Sequence, residues 1–258
     1  MAAQNDFQDI VKLLLTQKVT QILPNTFQYC KWLTELTIPS AVTSIGPKIF
    51  KGCSSLKQIV IPSSVTSIEI SAFRDCCSLT QIIIPSSVKS IGICVFRGCT
   101  SLKEITIENL MSLESIPSFT FYQCSSLEQI TIPSSVTLIG EYAFKECISL
   151  TQIIIPSSVN IIESNAFKGC ISLTQIIIPS SVKNIESNAF NGCKSLKQIT
   201  IPSSITTLEN NVFSGCSSLT QIEIPLSVTS IGEYTFSECT SLKQIDIPPS
   251  VKTINYCA

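Results

Sequence analysis

Apolar and polar residues along this chain follow one pattern, which returns every 23 residues. Phe144 and Phe167 occupy the same place in two successive copies, and each lies three residues before a cysteine. The apolar positions of one copy are Leu150, Ile153, Ile155, Val159, Ile162 and Phe167. A fixed period of this length is typical of a solenoid, in which every copy forms one coil and stacks on the next. We therefore expect equal positions of successive copies to lie side by side.

Each copy predicts two extended segments and a turn. The β-branched run Ile153–Ile155 favours a strand, and Pro156 ends it because proline cannot donate a hydrogen bond to a sheet. Strands one coil apart are expected to form a parallel sheet. Val159 and Ile162 predict a second short extended segment that points back into the core. Ala166–Gly169 predicts a short helical turn that the glycine closes.

The repeat sets the organisation of the chain. Residues 1–18 precede it and predict an amphipathic helix that caps the open end of the first coil. Residues 19–258 predict a single solenoid of about ten coils. One coil has 25 residues instead of 23, and the extra residues fall in Glu108–Met111, where other coils have Pro-Ser-Ser. The C-terminal coil stops before the next phenylalanine of the pattern, so we expect it to be incomplete.

Composition excludes several classes of protein. Hydrophobic residues make up 44% of the chain and charged residues only 14%, which argues against disorder. The net charge of −1 gives no electrostatic reason to expect nucleic acid as a partner. No apolar run approaches the length of about 18 residues that a membrane-spanning helix needs, so we expect no membrane insertion.

The sequence also gives no support for catalysis or for a bound cofactor. Histidine, the commonest general base, is absent. One glutamate follows the Val-x-x-Ile segment in several coils, at Glu141, Glu163, Glu186, Glu209 and Glu233. Their spacing predicts a solvated row on an outer face, because residues one coil apart do not converge on one point. We expect no enzyme activity, no metal and no cofactor.

Cysteine is the remaining candidate for chemistry, because the chain has 13. Ten of them, from Cys30 to Cys239, share one position of the repeat and therefore form a line along the axis. Thiols about 4.8 Å apart in a line cannot converge on a tetrahedral zinc ion, so we expect small buried side chains that fill the core. Cys77, Cys94 and Cys257 fall outside the line and are expected to be the more exposed thiols.

The elements Leu-x-x-Ile-x-Ile-Pro, Val-x-x-Ile and Ala-Phe-x-x-Cys, which begin at Leu150, Val159 and Ala166, resemble the leucine-rich repeat of the BspA type. The resemblance covers residues 19–257 and recurs coil after coil. It implies an α/β-type repeat solenoid, a right-handed superhelix with a concave parallel sheet and short convex extended or helical turns. It also implies a surface antigen that adheres to host matrix proteins or to other cells. Ser158 stands where many leucine-rich repeats have asparagine, so no asparagine ladder is expected.

The sheet offers the candidate binding surface, since three positions of Leu-x-x-Ile-x-Ile face outward. The second is glutamine in most coils, and the third forms two apolar patches, a polar break and an acidic end. The candidate ligand-binding residues are Val60, Gln81, Ile83, Gln152, Ile154, Gln175, Ile177, Gln198, Glu223 and Asp246. Exposed apolar patches with polar rims often mark interaction sites. The alternative is a purely structural role, in which these residues are present because they favour a β-sheet and because the glutamine amides form a ladder of hydrogen bonds with one another.

We therefore predict a non-enzymatic module that presents this sheet to a protein ligand, such as a host extracellular-matrix or cell-surface protein. The alternative is a structural solenoid that self-associates through its C-terminal coil, where an apolar end would be an association hazard. The compartment stays open. The resemblance implies the cell surface or secretion, whereas the absence of a signal-peptide pattern and the many free cysteines indicate the cytoplasm.

Overall fold

The computed structural model describes residues 19–107 and 113–258. Within these ranges the chain forms a stack of coils, and successive coils supply parallel strands to two columns. Ile153 pairs with Ile176 and Gln152 pairs with Gln175, so equal positions of the repeat are neighbours. The expected parallel solenoid is confirmed.

The first column consists of short strands from the Leu-x-x-Ile-x-Ile segment. They are β1 (Glu35–Thr37), β3 (Gln58–Val60), β5 (Gln81–Ile84), β7 (Glu104–Ile107), β9 (Gln129–Ile130), β11 (Gln152–Ile154), β13 (Gln175–Ile177), β15 (Gln198–Thr200) and β17 (Gln221–Glu223). In a typical strand the central isoleucine is buried and the residues on both sides are exposed. This alternation is what a strand with one face on the core requires.

The second column comes from the Val-x-x-Ile segment. Its strands are β2 (Ser44–Ile45), β4 (Ser67–Ile68), β6 (Ser90–Ile91), β8 (Ser115–Ile116), β10 (Leu138–Ile139), β12 (Ile161–Ile162), β14 (Asn184–Ile185), β16 (Thr207–Leu208), β18 (Ser230–Ile231) and β19 (Thr253–Ile254). Hydrogen bonding joins them in three groups, with interruptions between β6 and β8 and between β14 and β16.

A stack of phenylalanine rings runs through the core between the coils. Successive rings from Phe27 to Phe236 lie nearly parallel, and their centroids are 5.2 to 5.9 Å apart. The rings from Phe50 to Phe213 are fully buried. Because each ring packs against a ring of the coil before and of the coil after, no coil completes its core alone.

The expected helical turn at Ala166–Gly169 is wrong, since residues 19–107 and 113–258 contain no helix. The segment forms tight turns in which Asn165 has a φ of 60° and Gly169 a φ of 73°. These left-handed residues lie two positions before and two positions after Phe167, and they interrupt the right-handed backbone that a helix needs. Asparagine and glycine tolerate this conformation best, which is why many coils have them there.

The same turn forms a third ladder of hydrogen bonds between the coils. The backbone N–H groups of Asn165, Phe167 and Gly169 donate to carbonyl oxygens of the next coil over 2.8 to 3.0 Å. The left-handed residues allow this, because alternate N–H groups then point along the solenoid axis. The turn therefore adds to the cohesion between the coils.

Two predictions lie outside the described residues. The capping helix was expected at residues 1–18, and the insertion of the 25-residue coil was expected at Glu108–Met111, which lies within the undescribed residues 108–112. The division of the chain into a cap and a single solenoid therefore stays a prediction.

Candidate protein-binding sheet face

Nine of the ten candidate ligand-binding residues lie on the outward side of strands of the first column, which we call the sheet face, whereas Asp246 lies beyond β17 in a coil that forms no strand there. All ten are exposed. Val60 and Ile83 keep 59% and 56% of their surface exposed, and Ile154 and Ile177 keep 77% and 68%. Four large apolar side chains of the first column thus face solvent.

The two apolar patches lie apart along the solenoid axis. Ile154 and Ile177 are register partners in β11 and β13, so their side chains are neighbours. Thr131 precedes Ile154 in this row, and Thr200 follows Ile177. The next residue, Glu223, begins the acidic end of the row. The order of the residues on the sheet face is therefore apolar, polar, apolar, polar and acidic.

Shallow hollows flank the Ile154/Ile177 patch on both sides. One of about 430 Å³ is lined by Glu104, Thr106, Gln129, Thr131, Gln152 and Ile154, among others. Another of about 240 Å³ is lined by Gln175, Ile177, Gln198, Thr200, Gln221 and Glu223, among others. The patch is therefore a low ridge between two polar-edged depressions, a shape that can accept side chains of a partner.

The expected alternative, a self-satisfying ladder of glutamine amides, finds no support in the described residues. Gln152 and Gln175 are register partners, yet no hydrogen bond joins glutamine side chains of neighbouring coils in the described part of the chain. Gln244 donates to Asp246 of its own coil over 3.1 Å. The glutamine amides of the sheet face are thus available to solvent or to a partner.

The cysteines confirm the predicted line of buried thiols. Nine of the ten thiols in the line, from Cys53 to Cys239, are buried, whereas Cys30 at its N-terminal end is only partly buried. All 13 cysteines are free thiols. Burial raises the pKa of Cys53 and of Cys170 to about 12 and that of Cys239 to about 11. A thiol that resists ionisation is a poor nucleophile and a poor metal ligand. The described residues contain no cluster of metal-binding side chains.

The buried thiols also form hydrogen bonds between coils, a role that was not predicted from the sequence. Cys147 donates a hydrogen bond to the carbonyl oxygen of Phe121 in the preceding coil over 3.1 Å, and Cys170 does so to Phe144. The same bond recurs from Cys53 to Cys239. Cys77 and Cys94, outside the line, are partly buried, and Cys257 is exposed as expected.

Comparison with known proteins identifies the repeat. The model of the BspA type leucine rich repeat region matches residues 20–151, 71–191 and 137–258, in six copies. The chain belongs to the BspA-type leucine-rich-repeat family. A search of curated proteins gave no match. Within the described residues, the structure has no helix long and apolar enough to cross a membrane.

Solved structures of bacterial leucine-rich-repeat proteins are similar to this BspA-type chain. A leucine-rich repeat protein from Bacteroides ovatus is 28% identical with a TM-score of 0.69, and the match covers 92% of this chain and 76% of that one. A leucine rich cell surface protein from Faecalibacterium prausnitzii is 33% identical with a TM-score of 0.58, over 91% and 62%. A leucine rich repeat protein of T. pallidum is 27% identical with a TM-score of 0.51, over 81% and 78%.

No asparagine ladder was expected, because serine stands at the asparagine position. The structure has a ladder of serine hydroxyls there instead. The hydroxyl of Ser158 donates to the carbonyl oxygen of Val136 in the preceding coil over 2.6 Å, and that of Ser181 donates to Val159 over 2.7 Å. The sequence carried the signal, since Pro-Ser-Ser recurs in most coils. That the second serine bonds to the preceding coil depends on the distance between coils, which cannot be read from the sequence alone.

The glutamate row is solvated only in part: Glu209 and Glu233 are exposed as expected, whereas Glu163 and Glu186 bond to the preceding coil. Glu163 accepts a hydrogen bond from the backbone N–H of Glu141 over 2.7 Å. Glu186 accepts bonds from the backbone N–H and the hydroxyl of Ser164 over 3.0 and 2.9 Å. These carboxylates satisfy backbone groups of the preceding coil, because the turn there leaves an N–H without a sheet partner. Their role is therefore structural.

The turn edge carries a cluster that the sequence analysis missed. The guanidinium of Arg97 lies 4.9 Å from the ring centre of Tyr122, and the ammonium of Lys145 lies 5.3 Å from the same ring. Phe119 stacks on Tyr142 with centroids 4.7 Å apart. Phe119 and Tyr142 hold left-handed positions where later coils have asparagine. Cation–π contacts stabilise this edge, which is separate from the sheet face.

Proposed function

We propose that this BspA-type protein is a non-enzymatic binding module that holds a protein ligand on its sheet face. The observation that carries the proposal is the exposure of Ile154 and Ile177 side by side between two hollows. In the expected right-handed superhelix the sheet face forms the concave side. An apolar ridge with a polar rim is the composition of a protein-binding patch.

The ligand class follows from the residues of the sheet face. Apolar side chains of the partner cover Ile154 and Ile177, and basic side chains meet the acidic end at Glu223 and Asp246. Host extracellular-matrix and cell-surface proteins are the ligands that the family resemblance implies. The similar chain from Faecalibacterium prausnitzii is described as a cell surface protein, which supports the same setting.

The test compares two matched double variants. Ile154→Glu with Ile177→Glu places charge on the ridge, whereas Ile148→Glu with Ile171→Glu places the same charges on exposed isoleucines of the turns, one coil apart. Binding to purified fibronectin, laminin and collagen is measured by surface plasmon resonance. Each variant is first checked for an unchanged circular dichroism spectrum.

We expect at least one matrix protein to bind the unmodified chain and to lose about tenfold or more in affinity on the ridge variant, with no change on the turn variant. Equal losses in both variants, or none in either, rule out the sheet face as the binding surface. Absence of binding to the whole panel rules out extracellular-matrix proteins as the ligands.

A second candidate function is self-association through the C-terminal coil. Ile254 and Tyr256 keep 57% and 69% of their surface exposed, and Ile247 keeps 42%. Light scattering over a range of concentrations tests this function, with Ile254→Lys as the variant. A chain that stays monomeric throughout excludes it.

A further inference from the structure

The second column is interrupted between β14 and β16, although no residue is inserted there. At a regular junction two backbone bonds join the coils, as when Lys183 donates to Asn160 over 2.8 Å and Glu186 donates to Ile162 over 2.9 Å. Equivalent pairs recur at the other 23-residue junctions between Thr43 and Asn255 in the described chain. The N–H groups of Thr206 and Glu209 have no such partner in the preceding coil.

The gap between β14 and β16 is local, because hydrogen bonds join the two coils on both sides of it. On one side, the hydroxyl of Ser204 donates to the carbonyl oxygen of Val182 over 2.5 Å. On the other side, the N–H of Asn188 donates to the carbonyl oxygen of Asn210 over 2.9 Å. Because the two coils remain joined on both sides, the open part is a cleft of defined size.

Two core residues explain why the cleft opens here. Ile205 and Leu208 stand where the neighbouring coils have valine and isoleucine, and each is only 1% exposed. Ile205 adds a methylene group to a tightly packed core, and Leu208 branches one carbon further along its side chain. Larger or differently shaped core side chains displace the backbone around them.

The cleft has a volume of about 370 Å³ and is predominantly polar. Its lining includes Ser164, Lys183, Asn184, Glu186, Thr206 and Glu209. The backbone adds donors at Thr206 and Glu209 and acceptors at Lys183 and Ile185 that regular junctions pair with one another. A ligand for this cleft must therefore supply both donors and acceptors at close spacing.

We propose that this cleft binds an N-acetylated hexosamine unit of a glycan. The acetamido group carries one N–H and one C=O, as a peptide group does, so it can bond to the backbone groups that the missing ladder leaves free. The ring hydroxyls both donate and accept, which suits the serine, threonine and asparagine side chains. Glu186 and Glu209 against Lys183 leave a net negative charge, which disfavours acidic sugars.

The test follows backbone amide signals by NMR during titration of the whole protein with N-acetylglucosamine. Concentrations up to about 10 mM suffice for a Kd of about 1 mM. We expect saturable shifts centred on Thr206 and Glu209 and clearly smaller shifts with glucose, which lacks the acetamido group. Equal shifts with both sugars overturn the role of the acetamido group. Unshifted signals of Thr206 and Glu209 overturn the site, because the sugar then does not bind in the cleft.

A variant that closes the cleft provides the decisive comparison. Ile205→Val with Leu208→Ile restores the residues of the neighbouring coils and should re-form the two missing hydrogen bonds. We expect this variant to raise the Kd for N-acetylglucosamine at least tenfold, while thermal stability is kept or increased. Unchanged affinity in a folded double variant contradicts the site. Asn184→Ala, which removes an exposed polar side chain of the lining, tests the same site without touching the core.

The source of the sugar is a separate question with its own comparison. Chitin oligosaccharides present N-acetylglucosamine, and mucin-type glycans present N-acetylgalactosamine. Preference for one of them in the same titration identifies the source, and binding of neither overturns the proposal even if the free sugar binds. Because the cleft lies in the second column and not on the sheet face, the Ile154→Glu and Ile177→Glu variant should bind the sugars normally.

Discussion

Cys147 and Phe121 are joined by a bond that links side chain to backbone across two coils. The carbonyl oxygen of Phe121 accepts one hydrogen bond from the N–H of Cys124 over 3.0 Å and another from the thiol of Cys147 over 3.1 Å. Both lone pairs of this buried oxygen are thereby satisfied. The cysteine of each coil thus completes the hydrogen bonding of the turn before it.

Removal of this thiol should weaken the stack. Cys147→Ala leaves a small cavity and one acceptor less well satisfied, so we expect the free energy of unfolding to fall by about 1–3 kcal/mol. Urea denaturation followed by circular dichroism measures the change. Cys257→Ala serves as the reference, because Cys257 is exposed and should have almost no effect. Equal stabilities of the two variants contradict a structural role for the thiol ladder.

The buried thiols also predict how stability depends on pH. Burial raises the pKa of Cys170 from 9.0 to about 12 in the folded chain, whereas the unfolded chain keeps the ordinary pKa. The unfolded state therefore loses its thiol proton first, so the contribution of Cys170 is fully present below pH 9.0 and is lost as pH rises towards 12.

Urea denaturation at neutral pH and at about pH 10 checks this dependence. We expect the difference in stability between the unmodified chain and Cys170→Ala to shrink at the higher pH. Cys257→Ala, which replaces an exposed thiol, serves as the reference variant at both pH values. A difference that grows with pH is the opposite of the expected sign and disproves the assignment.

Features that follow from equal positions in successive repeats could be predicted from the sequence. Features that depend on the distance between the backbones of neighbouring coils could not. The Phe144-to-Phe167 period was enough to predict the parallel register, the ring stack and the exposure of Ile154. The serine ladder at Ser158 needed the distance between coils, which no pattern within one coil contains. The cleft beside Leu208 follows from a substitution that is visible in the sequence, but its effect arises only from core packing.

The helical turn was wrong for a more local reason. Asn165 and Gly169 flank Phe167 at equal distance, and both residue types favour left-handed backbone. Asparagine and glycine at these two positions therefore already argue against a helix. The short apolar segment between them looked helical because alanine and phenylalanine fit a helix as well as a turn.

The left-handed positions offer a simple route to a more stable protein. Lys48 has a φ of 56° and is exposed, at the position where Asn165 and Asn188 occur in later coils. The left-handed conformation costs asparagine less free energy than it costs lysine. Lys48→Asn should therefore increase the free energy of unfolding by about 0.5–1 kcal/mol. Lys168→Asn, in a similar turn but without a positive φ, should bring no gain. An equal gain in both variants would mean that charge, not backbone conformation, is responsible.

Two glycines at the same position of the repeat should respond differently to alanine. A Cβ on Gly140 would lie 2.6 Å from the backbone N of Ser118 and 2.8 Å from the carbonyl oxygen of Ile116, and backbone atoms cannot yield as side chains do. A Cβ on Gly46 would first meet the end of the Ile49 side chain at 3.4 Å, which is ordinary contact.

Gly140→Ala should therefore force neighbouring coils apart, and we expect it to lower the free energy of unfolding by about 1–3 kcal/mol. Gly46→Ala should stay within about 0.5 kcal/mol of the unmodified chain or increase its stability, since alanine restricts the unfolded chain more than glycine does. Urea denaturation and hydrogen exchange at the two junctions distinguish these effects. Because the two substitutions are chemically identical, a similar loss at both positions would show that spacing between coils does not set the tolerance for a Cβ.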